Sequence, residues 1–93
     1  MSLTFRKNDF FMIQVRVLLF ATIRAIIGEK ELELELPAGA RVRDVKGKVI
    51  DLFPHAEEAM LSMLTSVNRV FSEDDRLIPD QAEIAFFPQV SGG

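Results

Sequence analysis

Apolar and polar positions change period several times along this chain, and each change marks an element. From Ile13 to Ala21 the period is two, with Ile13, Val15, Val17 and Leu19 on one side and Gln14, Arg16, Leu18 and Phe20 on the other. That alternation predicts a strand. Its first side belongs in a core, while the second begins polar and ends in Leu18 and Phe20, an apolar surface near the strand's end. Thr22 to Ile27 predicts a short helical turn closed by Gly28, since glycine commonly follows a helix end. Glu29-Lys30-Glu31-Leu32-Glu33-Leu34-Glu35-Leu36 returns to the strand period, with one wet and one buried face.

Pro37 and Gly39 mark a turn, after which Val42, Val45, Val49, Ile50 and Phe53 recur at helical spacing until Pro54 stops the run. This is the main amphipathic helix, and Lys46 and Lys48 are expected to point away from its apolar stripe. Gly47 costs it about 1 kcal/mol relative to alanine. His55 to Leu64 predicts a second, shorter helix with Ala56, Ala59, Met60, Met63 and Leu64 on one stripe. A brief strand follows over Val67 to Phe71, then a polar turn at Ser72-Glu73-Asp74-Asp75. Arg76-Leu77-Ile78 extends or pairs with it. After a turn at Pro79-Asp80-Gln81-Ala82 comes a last strand, Glu83 to Phe87, with Ile84 and Phe86 inward and Glu83, Ala85 and Phe87 outward.

Composition narrows the classes. The 93 residues, 48% hydrophobic and 27% charged, fit one small domain with a modest core. A net charge of −3 with no cluster of lysine and arginine argues against a nucleic-acid partner. Absence of cysteine removes disulfides, thiolate metal sites and thiol nucleophiles, and makes the cytoplasm the default location. The longest apolar run, Val17 to Ala21, is far too short to span a bilayer, so no membrane association is expected. The four glutamates of the second strand read as a solvated face rather than as a metal or acid/base constellation. His55, the sole histidine, has no motif partner and reads as a surface or capping residue. Residues 1–11 form a polar and aromatic leader ahead of Met12, itself a plausible alternative start, and no function is placed on it.

The chemistry-bearing stretch is the end of the chain, Ala85-Phe86-Phe87-Pro88-Gln89-Val90-Ser91-Gly92-Gly93. Pro88 has no N–H for a ladder, so pairing is expected to stop there and residues 88–93 to leave the domain 12–87 as a flexible tail. Extended, those residues span about 20 Å. Gly92 and Gly93 lack the Cβ atoms that would bar the backbone from a narrow channel. The terminal carboxylate is thus deliverable to another protein's site. Phe87, an outward aromatic just before the tail and placed to sit beside Phe20, reads as a docking residue; the alternative is that the leader or a loop covers it.

Two strands, a main helix, a small strand with a second helix nearby and a last strand entering a tail make an α+β arrangement. The crossover connection permits the first and last strands to lie side by side and parallel in the centre. We expect a β-grasp, ubiquitin-like mixed sheet crossed by one main helix.

Phe20-Ala21-Thr22-Ile23-Arg24-Ala25-Ile26-Ile27-Gly28, the Val67-Asn68 pair and Ile84 to Gly93 together resemble the small subunit of molybdopterin synthase, within the ThiS/MoaD sulfur carriers. The likeness runs from about Met12 to Gly93, and Ala-Phe-Phe-Pro followed by Val-Ser-Gly-Gly is its most distinctive part. Two departures stand out. Asp80-Gln81-Ala82 replaces a common Asp-Gly-Asp, which bears on turn geometry, and Gln89 replaces a frequent second proline, which bears on tail stiffness.

The resemblance implies a sulfur carrier of molybdenum cofactor biosynthesis that is not catalytic on its own and binds no cofactor or metal. An ATP-dependent activating enzyme would adenylate Gly93, and a sulfur donor protein would convert it to a thiocarboxylate. Pro88, Val90, Ser91 and Gly92 would carry Gly93 into the large synthase subunit, where sulfur passes to a pyranopterin precursor. Phe20 and Phe87 would dock the partner, with Arg24 a polar contact. Other readings remain: a carrier for thiamin or another pathway, a ubiquitin-like modifier that delivers Gly93 to lysines, and a binding module with an inert tail.

Overall fold

The computed structural model describes residues 12–89. Its sheet is built outward from two parallel central strands, β1 (Met12–Leu19) and β5 (Ala82–Pro88). Five strands in all run in the order β2-β1-β5-β3-β4. β2 (Glu31–Pro37) pairs antiparallel with β1, from Met12↔Pro37 to Leu18↔Glu31. β3 (Met63–Val67) lies antiparallel on the other flank of β5, and β4 (Val70–Ser72) closes that edge. The mixed sheet with its parallel centre is the expected β-grasp.

The inward faces of the strands meet the main helix, α2 (Val42–Leu52). Val42, Val45 and Val49 are fully buried from the helix side, and Val17, Ile84 and Phe86 from the sheet. Helical and strand periods point the same residues into one core, as the pattern predicted. The loop after β4 clamps the start of α2. Val42 N–H donates to the Arg76 carbonyl and Arg43 N–H to that of Asp74, both at 3.0 Å. Arg41 N–H donates to Asp44 Oδ2 at 2.8 Å, so the first-turn donors of the helix are not left bare. Leu77 bridges to Arg41 and Ile78 is buried, which settles how residues 76–78 pair.

The first helical turn forms as α1 (Ala21–Ile27), closed by Gly28 at φ +87°, whose N–H reaches the Arg24 carbonyl at 2.8 Å. β1 stops at Leu19, two residues before the predicted end, because Ala21 takes a left-handed φ of +53° and turns the chain out of the sheet.

Several expectations need correction. The second helix, read over 55–64, is a 3-10 turn (Pro54–Ala56) and one short helix, α3 (Glu57–Leu61). Met63 and Leu64 belong instead to β3, opposite Pro88 and Phe87. Pairing with a central strand satisfies their backbone, and that outweighs a local helical stripe. The strand read over 67–71 is a hairpin. Asn68 and Arg69 both have positive φ, +50° and +71°, the sign pattern of a tight two-residue turn matched to strand twist. Pro88 does not stand outside the sheet but is the last residue of β5. Lys46, expected to face solvent, is only 9% exposed, its ammonium 3.0 Å from Asp74 Oδ1.

Candidate functional site

Parallel pairing of β1 with β5 brings two chain ends to one place. Leu19 stands opposite Phe86, so Phe20, leaving β1, is level with Phe87 at the point where the chain leaves the sheet. Phe20 is 44% exposed and Phe87 half-buried. Pro88 is half-buried and Gln89 exposed, so the backbone emerges into solvent beside these aromatics. Val90, Ser91, Gly92 and Gly93, assigned to tail insertion and group transfer, lie outside the described residues, as does the leader 1–11.

The face of the sheet turned away from α2 is divided. At the tail end, Leu18 pairs with Ala85, Ala85 with Ser66 and Ser66 with Phe71, while Leu64 pairs with Phe87. Side chains at these positions share one face by the strand period. Leu18, Leu64, Ala85 and Phe87 are half-buried, and Phe71 is 72% exposed. The Phe71 and Phe87 rings contact each other across the intervening strand. Toward the other end the same face is charged. Arg16 approaches Glu31 at 3.8 Å and Glu83 at 3.4 Å, and Arg69 also meets Glu83 at 3.4 Å. Exposed pairs of this kind contribute little stability, but they mark where the apolar surface ends.

Phe71 is the residue that sequence reasoning missed. It was read inside a continuous strand, which left its facing undefined; the Asn68-Arg69 turn was the signal that would have placed it opposite Ser66. Arg24 lies exposed on α1, beside a cleft that Ala21, Gly28, Glu29 and Lys30 also line. It stands near Phe20 in the chain, and its N–H reaches the Phe20 carbonyl at 3.4 Å, but it is not on the apolar sheet face.

His55 is exposed, with Nε2 3.1 Å from the Ile26 carbonyl and its ring edge-on to Phe53 at 6.3 Å. It fastens the 3-10 turn to α1, a structural position. The glutamates of β2 are exposed. Among the described residues no group of three or more histidines and acidic side chains is arranged to hold a metal, and no helix is long and apolar enough to cross a membrane.

Fold and site together define a β-grasp, ubiquitin-like domain that presents its C-terminal strand end beside an apolar face. The ThiS family model matches residues 17–93, and the chain belongs to that family. The molybdopterin synthase sulfur carrier subunit of Chlamydomonas reinhardtii is 30% identical over 82 residues, covering 86% of this chain and 99% of the relative. That of Arabidopsis thaliana is 28% identical over 87 residues, covering 94% and 91%. Among solved structures, small archaeal modifier protein 1 of Methanosarcina acetivorans is 29% identical with a TM-score of 0.73, over 88% of this chain and 98% of its own. Subunit 1 in the Helicobacter pylori complex of molybdopterin-converting factor subunits 1 and 2 shares the fold at 16% identity and a TM-score of 0.63, over 87% and 100%.

Proposed function

We propose that the chain is the sulfur carrier subunit of a molybdopterin synthase. The observation that carries the reading is the family match through Gly93 on a chain whose last strand ends beside an apolar face. A terminal carboxylate, with a pKa of about 3.3 to 3.7, is an anion at neutral pH and a poor electrophile. It gains reactivity as an acyl adenylate, formed with ATP on a separate activating enzyme with release of pyrophosphate. Attack by sulfide-level sulfur from a donor protein then forms the C–S bond, breaks the C–O bond to phosphate and releases AMP, leaving a thiocarboxylate.

The carrier's own task is delivery. Phe87, Phe71 and Phe20 dock the large subunit while Pro88 to Gly93 enter its site, and the partner supplies pterin binding and catalysis. Holding the thiocarboxylate in one orientation against the precursor is where the step gains rate. The sulfur-carrier role of the relatives supports this reading, as does the solved complex of two converting-factor subunits in the same fold.

The modifier protein at 29% identity favours a second reading, transfer of Gly93 from the adenylate to a lysine amine. Reconstitution separates the two. Thiocarboxylated chain mixed with the large subunit and the pyranopterin precursor should yield the dithiolene product, and a variant lacking Gly92 and Gly93 should not. Failure of the full chain, with isopeptide adducts forming on lysines instead, would establish the modifier.

A further inference from the structure

β2 is the terminal strand of the sheet, and the phase of its ladder is fixed. Leu19 N–H donates to the Lys30 carbonyl at 2.9 Å, and Gln14, opposite Glu35, directs its own main-chain groups to Asp80 and Gln81. Bonded and non-bonded pairs alternate along an antiparallel ladder, so Leu32, Leu34 and Leu36 bond to β1 while Glu31, Glu33 and Glu35 turn their N–H and C=O groups outward. Among the described residues no main-chain bond takes those groups up. Pro37, next in the outward series, has no N–H, so the open ladder runs from Glu31 to Glu35. Beside it lies a cleft of about 470 Å³ between β2 and α2. Buried Leu36 and Ala40 line one side, and Arg43, Gly47 and Asp51, successive turns of one α2 stripe, line the other. Gly47 is the informative residue. Glycine inside a helix costs stability relative to alanine, yet a Cβ at Gly47 would meet no atom within 4 Å. The domain's own packing does not require it, and its bare backbone leaves depth in the cleft.

An open strand edge beside a cleft accepts an extended segment by strand addition, with main-chain bonds along the edge and alternate side chains in the cleft. Charge selects the segment. Glu31, Glu33 and Glu35 are exposed on the face away from α2, and of the three only Glu31 forms an ion pair among the described residues, with Arg16 at 3.8 Å. Opposite charges on directly opposed residues stabilise paired strands and like charges destabilise them, which disfavours a second copy of β2, glutamate against glutamate. We propose that the β2 edge and its cleft bind an extended segment of another protein. Lysine or arginine stands opposite the glutamates, and the small aliphatic side chains between them enter the cleft over Gly47. This surface is separate from the tail. β1 lies between β2 and β5, and the cleft is at the Pro37 end of β2, whereas the chain leaves β5 level with the Glu31 end. Occupancy leaves Phe87 and the tail accessible, so the proposal does not depend on the carrier reading.

The probe is the peptide acetyl-Lys-Val-Lys-Val-Lys-Val-Lys-amide, beside its isomer acetyl-Lys-Lys-Lys-Lys-Val-Val-Val-amide of equal charge and composition. Each is titrated into the isotope-labelled full chain at physiological ionic strength, and amide chemical shifts give both the site and the Kd. The alternating peptide should shift the amides of Glu31, Glu33 and Glu35 and those of α2 beside the cleft. The block isomer should bind about tenfold more weakly, having lost the cross-strand charge pairs. Gly47→Leu fills the cleft and should weaken the alternating peptide by about tenfold, the scale set by losing one buried aliphatic contact. Gly47→Ala should melt higher than the parent while binding the peptide less tightly, a combination that damage to the fold does not produce. Equal binding of the two peptides, or shifts spread over the acidic surface, assigns the effect to net charge and overturns the proposal. Unchanged affinity of Gly47→Leu, or dimerisation of the chain through the same β2 amides, overturns it as well.

Discussion

The rings of Phe71 and Phe87 meet with centroids 5.7 Å apart and planes inclined by 56°, although the two residues belong to strands that do not pair with each other. β3 lies between them, so the contact forms over the top of that strand on the face away from the core. Its consequence is positional. The exposed Phe71 braces the aromatic that stands where the chain leaves the sheet, and such pairs contribute roughly 0.5 to 1.5 kcal/mol beyond area burial.

Truncating either ring should therefore impair docking more than folding. Phe71→Ala and Phe87→Ala should each weaken binding of the large subunit by about 2 kcal/mol or more, the range of aromatic interface anchors. Phe71→Ala should lower folding stability by less than about 1 kcal/mol, since its ring is mostly in water. A double-mutant cycle on binding should show non-additivity, because the two side chains touch. Full additivity with unchanged affinity of Phe71→Ala would remove Phe71 from the surface.

The Lys46–Asp74 pair should respond asymmetrically to mutation. The Lys46 side chain is 11% exposed and that of Asp74 64% exposed. Asp74→Ala leaves a largely buried ammonium with only the Met63 carbonyl and should cost about 2 kcal/mol, below the 3 to 5 kcal/mol of fully buried pairs because the site opens to water. Lys46→Met keeps the packing and frees a carboxylate that water reaches, so it should cost less than about 1 kcal/mol. Urea denaturation measures both; Asp74→Ala proving the milder change would contradict the geometry.

At Gln81 the chain keeps a glycine's conformation without the glycine. Gln81 has φ +66°, and its N–H donates to the Gln14 carbonyl at 2.7 Å while Asp80 Oδ1 accepts the Gln14 N–H at 2.8 Å. The departure from Asp-Gly-Asp thus leaves a left-handed turn in place and adds Cβ strain to it. Gln81→Gly retains both backbone bonds and should stabilise by about 0.5 to 1 kcal/mol. The opposite change, Gly39→Ala at φ +91°, should destabilise by about 1 to 2 kcal/mol. Melting temperatures moving in the same direction for the two variants would contradict the account.

How much was legible follows from which forces were local. The β1 alternation, the Glu-Leu alternation of β2 and the valine stripe of α2 each bury one face, so period alone placed Val17, Leu34 and Val45 in the core. Met63 and Leu64 were misplaced because their partners, Pro88 and Phe87, are distant in sequence, and a short apolar run does not announce such pairing. Lys46 was misread because its burial depends on Asp74, supplied by a loop 28 residues further on. At the end of the last strand, the neighbouring positions of Phe20 and Phe87 were readable from strand parity next to a distinctive ending, whereas the position of Phe71 required recognition of a turn made without glycine.

The most direct test of the central claim is the intact mass of the chain after incubation with ATP, a sulfide source and its activating enzyme, beside a variant lacking Gly92 and Gly93. The account predicts a gain equal to one oxygen-for-sulfur exchange on the full chain alone. An unchanged mass with an enzyme shown to be active on its own carrier would contradict the assignment of a sulfur carrier.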